Sequence, residues 1–360
     1  MAVSKRLATD AAVPVVSALL TKAIARALDA LPEPPTSLAA GVSGGADSAM
    51  LAVHAAALAR ERGLAFHVFH VHHGLQAPSD LWQSQVHDLA QALRVPCHSI
   101  RIRVDAASAS GKGVEAAARE ARYAAFVRMA ELTGVRHVLL AHHRDDQAET
   151  VLLRLLRGAG PTGLAAMAPV SRRDGLVYVR PWLDVARARI LAAARSYGAD
   201  TGWRPVQDPT NHDDQYTRAA VRERLAPDLD ERWPGWQATL LRHARLSAEA
   251  REVLGEVAAR DLAGLDCADD GASFSLRAWR ELSPARQALV LRHWLDCLGQ
   301  RMPSQARLDD VMRQLRGLHA LGHDRDMRVR HGSAWIRCRA GRVFLDREAC
   351  GAPSVRDKNG

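Results

Sequence analysis

Between residues 33 and 200 the chain alternates short apolar runs with helix-length segments, and that alternation constrains the fold most. Ser37–Val42 reads as a strand, Ala46–Arg62 as a helix that stops at Gly63, and Ala65–His72 as a second strand. Leu81–Leu93 reads as a helix, Pro96–Val104 as a strand and Val114–Glu131 as a helix. Val135–Ala141, Asp145–Arg157 and Leu176–Val179 continue the series as strand, helix and strand. Strands separated by helices cannot form hairpins, so they pair in parallel, with helices covering both faces of the sheet. The expected fold class is therefore α/β with a Rossmann-like parallel sheet. Past residue 222 the pattern becomes mainly helical, over Trp236–Leu262, Pro284–Leu298 and Gln305–Leu315. A terminal hairpin, Val329–Arg339 with Arg342–Leu345, turns at Ala340-Gly341.

In open α/β sheets, ligands bind where strands run into helices. The first such junction reads Gly41-Val-Ser-Gly-Gly-Ala-Asp-Ser48. Gly44 and Gly45 allow backbone N–H groups to approach a phosphate, the helix N-terminus adds partial positive charge, and Ser43 and Ser48 add hydroxyls. No lysine follows the glycines, so this is not a Walker A loop. Asp47 is a carboxylate in a phosphate loop, which calls for a cation between them; Mg²⁺ bridging Asp47 to ATP meets that need. The second junction reads His143-Arg-Asp-Asp-Gln-Ala-Glu-Thr150. Asp145 and Glu149 lie four apart on one helix face, and Asp146 is placed to cap the first turn. In a parallel sheet the two junctions open on one edge and together make a metal–nucleotide site.

His67, His70, His72 and His73 invite a zinc reading, but strand alternation sends them to opposite faces. His72, at the strand's end, is better placed to line the nucleotide pocket. Glu115, Arg119 and Arg122 share a helix face by spacing, which by itself reads as a solvated surface. The five cysteines form no CxxC pair and are odd in number, which fits reduced thiols and a cytoplasmic location. No run is long enough for a membrane helix, and no membrane partner is expected. Arginine supplies most of the 49 cations against 40 acids, a balance suited to a polyanion.

Taken together, these segments resemble a known family. Ser43–Ser48 is similar to the PP-loop of the N-type ATP pyrophosphatases. His70–Leu75, Glu115–Tyr123, His143–Thr150, Arg154–Leu164, Arg180–Leu183 and Asp208–Asn211, in this order, resemble the bacterial tRNA(Ile)-lysidine synthetases. The resemblance runs from about Leu38 to about Leu315. It implies an ATP-dependent ligase that joins free L-lysine to ring carbon two of the wobble cytidine of a CAU-anticodon isoleucine tRNA. Two steps are implied: adenylation of the cytosine oxygen with loss of pyrophosphate, then displacement of AMP by lysine.

On that resemblance Ser43, Gly44, Gly45, Ala46, Asp47, Ser48 and His72 are expected to bind ATP, and Asp47 and Asp146 to hold Mg²⁺. Asp145 is the alternative to Asp146, with His143 beside them in the catalytic set. Glu115, Arg119, Arg122, Glu149 and Arg187 are expected to meet tRNA, phosphate or lysine. The implied domains are a helical extension (1–34), a PP-loop catalytic domain (35–222) and a helical tRNA-binding domain (223–320). A short basic tail with the hairpin (321–360) follows, with the family's second C-terminal domain truncated or absent. The family's Arg-Asn pair appears here as Arg218-Ala219. A homodimer stays open. So do three other readings: a tRNA-thiolating relative, a tRNA-binding protein without catalysis, and a metal phosphohydrolase.

Overall fold

The computed structural model describes residues 16–72, 79–102, 113–207, 217–318 and 326–347. The chain divides into two compact units, 1–247 and 248–360, with the division inside one long helix, Trp236–Ala263. The sequence reading put its domain boundary at residue 222.

The first unit is built on a six-stranded sheet of order β3-β2-β1-β4-β6-β5. Its strands are β1 (Ser37–Gly41), β2 (Ala65–His72), β3 (Cys97–Arg101), β4 (His137–Leu139), β5 (Val170–Arg173) and β6 (Leu176–Val179). All pair in parallel except β5, an antiparallel edge joined to β6 by a tight turn. Strand alternation divides the core between the two faces. Leu38, Ala40, Val68, Leu139 and Val179 face one side, with α1 (Ala18–Asp29), α2 (Ala46–Arg62) and α7 (Arg187–Thr201). Ala39, Phe69, Val138, Leu140 and Tyr178 face the other, against Tyr123, Phe126 and Met129 of α4 (Gly113–Thr133). Among the elements outside the sequence reading are the short edge strand β5 and the helix α7. Repeated Ala and Arg in α7 blur its apolar period, and burial of Ile190, Ala194 and Tyr197 fixes it instead.

Gly41, at the end of β1, shows how closely the layers meet. A Cβ there would lie 2.9 Å from the Phe126 ring. The expected N-terminal helix is α1, whose residues Leu20, Ala23, Ile24 and Leu28 are buried. It is pinned by a buried histidine, His54 of α2. The Ser17 backbone N–H donates to His54 Nε2 at 3.0 Å, and His54 Nδ1 contacts the Met50 carbonyl at 2.7 Å. Trp182, fully buried, donates from its ring nitrogen to the Leu20 carbonyl at 3.2 Å.

The second unit packs α11 (Leu276–Glu281), α12 (Pro284–Cys297) and α13 (Gln305–Gly317) against a four-stranded antiparallel sheet. Its order is β7-β10-β9-β8, with β7 (Ser273–Ser275), β8 (Met327–His331), β9 (Ala334–Arg339) and β10 (Arg342–Arg347). The expected hairpin is therefore half of a larger sheet. Val329–Arg339, read as one strand, is broken by a two-residue turn at Gly332-Ser333, where Gly332 has φ +60. Ala340 and Gly341 both have positive φ, which gives the primed turn that matches strand twist.

His54 generates a pH prediction. Burial pushes its pKa below the ordinary 6.5. The neutral ring accepts the Ser17 N–H, so its contribution is fully present above about pH 6.5 and is lost as pH falls toward the lower native value. Between pH 7.5 and 5, urea unfolding of the wild type should lose more stability than that of a His54→Gln variant. The difference should approach, and not exceed, about 1.4 kcal/mol per pH unit. Parallel pH profiles would rule this out.

Candidate active site

The order β2-β1-β4 puts the ends of β1 and β4 side by side at the point where the chain reverses its winding. Such a switch point opens a crevice. Here it is a cavity of about 620 Å³ lined by Ser43, Gly45, Asp47, Ser48, His72, His143 and Asp146, among others.

The glycine loop is locked from within. Ser48 Oγ accepts the Ser43 N–H at 3.1 Å, lies 3.1 Å from Ser43 Oγ, and donates to the Gly45 carbonyl at 3.1 Å. Gly44 has φ +93, and a Cβ on it would come within 2.7 Å of Val206. Its carbonyl accepts the Val206 N–H at 3.0 Å. Glycine is therefore required by both conformation and space. Gly45 caps α2 with no side-chain bond, so the first-turn N–H groups have no partners within the helix.

The second junction starts α5 (Arg144–Leu156). Its N-cap is His143, and Asp146, three residues on, completes a capping box with it. The ring Nδ1 accepts the Asp146 N–H at 3.3 Å, and Asp146 Oδ2 accepts the His143 N–H at 3.1 Å. His143 Nε2 then lies 3.4 Å from Asp146 Oδ2 and 3.9 Å from Asp47 Oδ2. One buried imidazole thus gathers a carboxylate from each junction. Arg187 Nε is 3.4 Å from the same Asp47 oxygen, while Asp47 Oδ1 is buried with no hydrogen-bond partner.

Asp145 and Glu149 do not work as a pair. Asp145 turns to the start of α7, where it accepts the Arg187 backbone N–H at 3.0 Å. Glu149 shares a partner with Asp146 instead. Arg222 donates from Nη2 to Asp146 Oδ1 at 2.9 Å and to Glu149 Oε2 at 3.0 Å, and from Nε to Glu149 Oε1 at 2.5 Å. Burial works against ionisation of Asp146, but His143 and Arg222 outweigh it and hold the carboxyl below its usual range. Burial pushes Glu149 up, opposed by the guanidinium gripping both its oxygens. The two-pronged geometry marks the ion pair as the neutral-pH form. Burial lowers the pKa of His142, which also lines the cavity, so that ring is neutral.

Of the remaining expected residues, His72 and Arg122 line the cavity. His72 Nε2 lies 3.0 Å from Asp80. Arg119 is exposed and donates to the Tyr123 hydroxyl at 3.2 Å. Glu149 is 4% exposed and absent from the lining. The Glu115 side chain and His73 lie outside the described residues. So does Asp208–Asn211. His67 Nδ1 sits 3.1 Å from His98 and His70 Nδ1 2.8 Å from the Val42 carbonyl, so the histidine run disperses.

Arg222, the hub of the acidic cluster, escaped the sequence reading. It lies on a π-helical turn, Val221–Leu225, between α8 (Thr217–Ala220) and α9 (Ala226–Arg232). Such turns recur at functional sites. The only signal was its spacing of four from Arg218, which donates to Thr150 at 3.5 Å. Ala219, in place of the family's Asn, is buried.

Replacing Arg222 with Ala leaves Glu149 and Asp146 without their cation. Unfolding titrations should show a loss of about 3–5 kcal/mol. Arg222→Lys should recover part of it, since a point charge cannot grip both oxygens of Glu149. A loss below about 1 kcal/mol in Arg222→Ala would contradict the hub.

Comparison with known proteins agrees with this geometry. The family model described as a PP-loop domain matches residues 19–229, and the one described as the TilS substrate binding domain matches 274–344. The tRNA(Ile)-lysidine synthase of Bordetella bronchiseptica is 58% identical over 91% of this chain and 95% of its own. That of Bordetella pertussis is 59% identical over 90% of this chain and 100% of its own. Among solved structures, the U34-tRNA thiolase NcsA from Methanococcus maripaludis shares the fold. The TM-score is 0.53 and the identity 14%, over 64% of this chain and 79% of that one. The cavity at the switch point, its glycine loop and the extent of these likenesses place the chain in the tRNA(Ile)-lysidine synthase family of PP-loop, ATP-using enzymes.

Proposed function

We propose that the chain ligates lysine to ring carbon two of the wobble cytidine of a CAU-anticodon isoleucine tRNA, through an adenylated cytidine. The product base pairs with A, so the codon read changes from AUG to AUA. The observation that carries this reading is the convergence of Ser43–Ser48, Asp47 and Asp146 on one cavity.

The chemistry follows from that arrangement. A cytosine carbonyl oxygen is a poor leaving group until it carries AMP. Ser43–Ser48, with the free N–H groups of the α2 N-terminus, hold the polyphosphate so that charge is stabilised as pyrophosphate departs. Asp47 and Asp146 fit an Mg²⁺ ion by their hard oxygens, and Asp47 Oδ1 is buried without a partner. Among the described residues no three His, Cys, Asp or Glu side chains form a closed cage, so a magnesium ion held by these two carboxylates would be completed by phosphate and water. Magnesium, when bound, offsets the charge that builds on the phosphates.

His143 Nε2 stands between the two carboxylates, 3.4 Å from Asp146 and 3.9 Å from Asp47, and Arg187 and Arg122 offer cations to the phosphates. Arg222 keeps Glu149 ionised, so its field favours the lysine ammonium while its oxygens are held back from direct proton transfer. Lysine, once deprotonated, attacks ring carbon two and expels AMP. A thiolating alternative is less well served: among the described residues no cysteine lines the cavity, and burial pushes Cys97 up to about 11. No described helix is long and apolar enough to cross a membrane.

The test is lysine-dependent release of AMP and pyrophosphate with an isoleucine tRNA transcript. Asp47→Asn and Asp146→Asn should each lower kcat about 100-fold or more. Turnover that needs a sulfur donor instead of lysine, or that proceeds without ATP, sinks the proposal.

A further inference from the structure

We propose that His67 and His98 form a binding site for a divalent late transition metal, of the Zn²⁺, Ni²⁺ and Cu²⁺ class, on the β2–β3 side of the parallel sheet. Neither residue lines the nucleotide cavity, and the inference does not rest on the tRNA reading.

The rest of the histidine run that is described on β2 has a place: His70 and His72 line the cavity. His67 does not. It lies near the start of β2, on the face it shares with Phe69 by alternation. His98 reaches the same face from β3, where its register partner is Phe69. The two ring centroids are 5.3 Å apart, and His67 Nδ1 stands 3.1 Å from His98 Nε2. Both residues are half-buried, so each keeps some contact with water.

A hydrogen bond from one imidazole to the other is the ordinary reading of such a contact, and it describes the pair without metal. The span also matches two adjacent ligands of one ion. With metal–nitrogen bonds of about 2.0–2.1 Å, neighbouring nitrogens stand about 2.9 Å apart at a right angle and about 3.3 Å apart at the tetrahedral angle. The observed 3.1 Å falls between them. The backbone fixes both donors, because β2 and β3 pair in parallel from Val68 to His72 and from Cys97 to Arg101. The His98 ring further meets the Phe69 ring edge-on, at 5.9 Å. Donors held in place in this way lower the ordering cost of binding.

Charge is permissive as well. Burial and then His98 hold the His67 pKa below the ordinary 6.5, and no Arg or Lys among the described residues contributes to that shift. The neutral ring offers a lone pair near pH 7. Metal binding needs both facing lone pairs, whereas the hydrogen bond spends one of them on a proton. That proton moves to the outer nitrogen of the donating ring, so the pair stays neutral and no base is consumed.

The ligand type sets the class of metal. Imidazole suits zinc, copper and nickel, whereas magnesium takes oxygen. Cys97, next to His98, packs with the core on the opposite face and is not a ligand. Among the described residues no third His, Cys, Asp or Glu joins the pair, so water fills the remaining positions.

The test uses the full chain with Cys297→Ser, which removes a competing exposed pair, His293 Nε2 and Cys297 Sγ at 3.6 Å. Zn²⁺ is titrated against a chromophoric chelator, and the ring-nitrogen resonances of isotope-labelled histidine are followed in parallel. His67→Asn and His98→Asn each identify one ring by its missing signals, and both rings should shift together as Zn²⁺ is added. Loss of an outer-shell partner alone costs a metal site about 10–100-fold, so each variant should weaken binding of that ion at least about tenfold. Both side chains are half-exposed, so the variants should fold, which circular dichroism checks. Millimolar Mg²⁺ should leave the shifts in place. Rings that do not respond to Zn²⁺, an affinity unchanged in either variant, or reversal by Mg²⁺ overturns the proposal.

Discussion

The pairing of β1 with β4 is the constraint on which the site depends. β1 is the central strand, hydrogen-bonded on one side to β2 and on the other to β4. The chain winds outward through β2 and β3 and then returns to the far side of β1. The loops leaving β1 and β4 therefore emerge together with nothing wedged between them. Asp47 and His143, ninety-six positions apart in the sequence, come within 3.9 Å as a result. The layers beneath are tight enough to hold the loops still, since the Phe126 ring leaves no room for a side chain at position 41.

On that frame the acidic cluster is a problem of charge as much as of geometry. Asp47 and Asp146 on the cavity wall and Glu149 buried behind it lie in a region where unpaired carboxylates are costly. The fold answers with cations from elements far away in sequence: Arg222 from the π turn and Arg187 from α7. His143 belongs to the same solution, because its capping role at α5 and its contacts with both aspartates use one ring. This division fits the reaction proposed above, in which the site takes up a further cation beside a triphosphate. Asp146 and Glu149 are neutralised in advance, while Asp47 keeps one oxygen without a partner.

The second unit solves a different problem with the same side chain. Two tryptophans and a phenylalanine, Trp279, Trp294 and Phe274, are fully buried in its core, with both indole N–H groups satisfied by backbone carbonyls. A core so packed lets the far face of the sheet carry Arg328 across from Arg337 and Arg339 across from Arg342, while Asp326, Asp346 and Asp266 answer part of that charge.

The sequence by itself determined the α/β class, the two chemistry-bearing junctions and most elements. Helix and strand periods, and Gly63 as a stop, are local signals that burial then reinforced. It also pointed to glycine in the first of these loops; at Gly44 the positive φ and the closeness of Val206 then make it obligatory. What the tertiary structure alone decided is who meets whom. Spacing along one helix paired Asp145 with Glu149, but packing sent Asp145 to the start of α7 and gave Glu149 to Arg222. The edge strands β5 and β7 also needed the assembled sheet, since three or four residues carry too short a period to read. The physical reason is common to all of these: periodicity is a property of neighbours in the chain, whereas charge pairing is settled between groups that only the completed fold brings within reach.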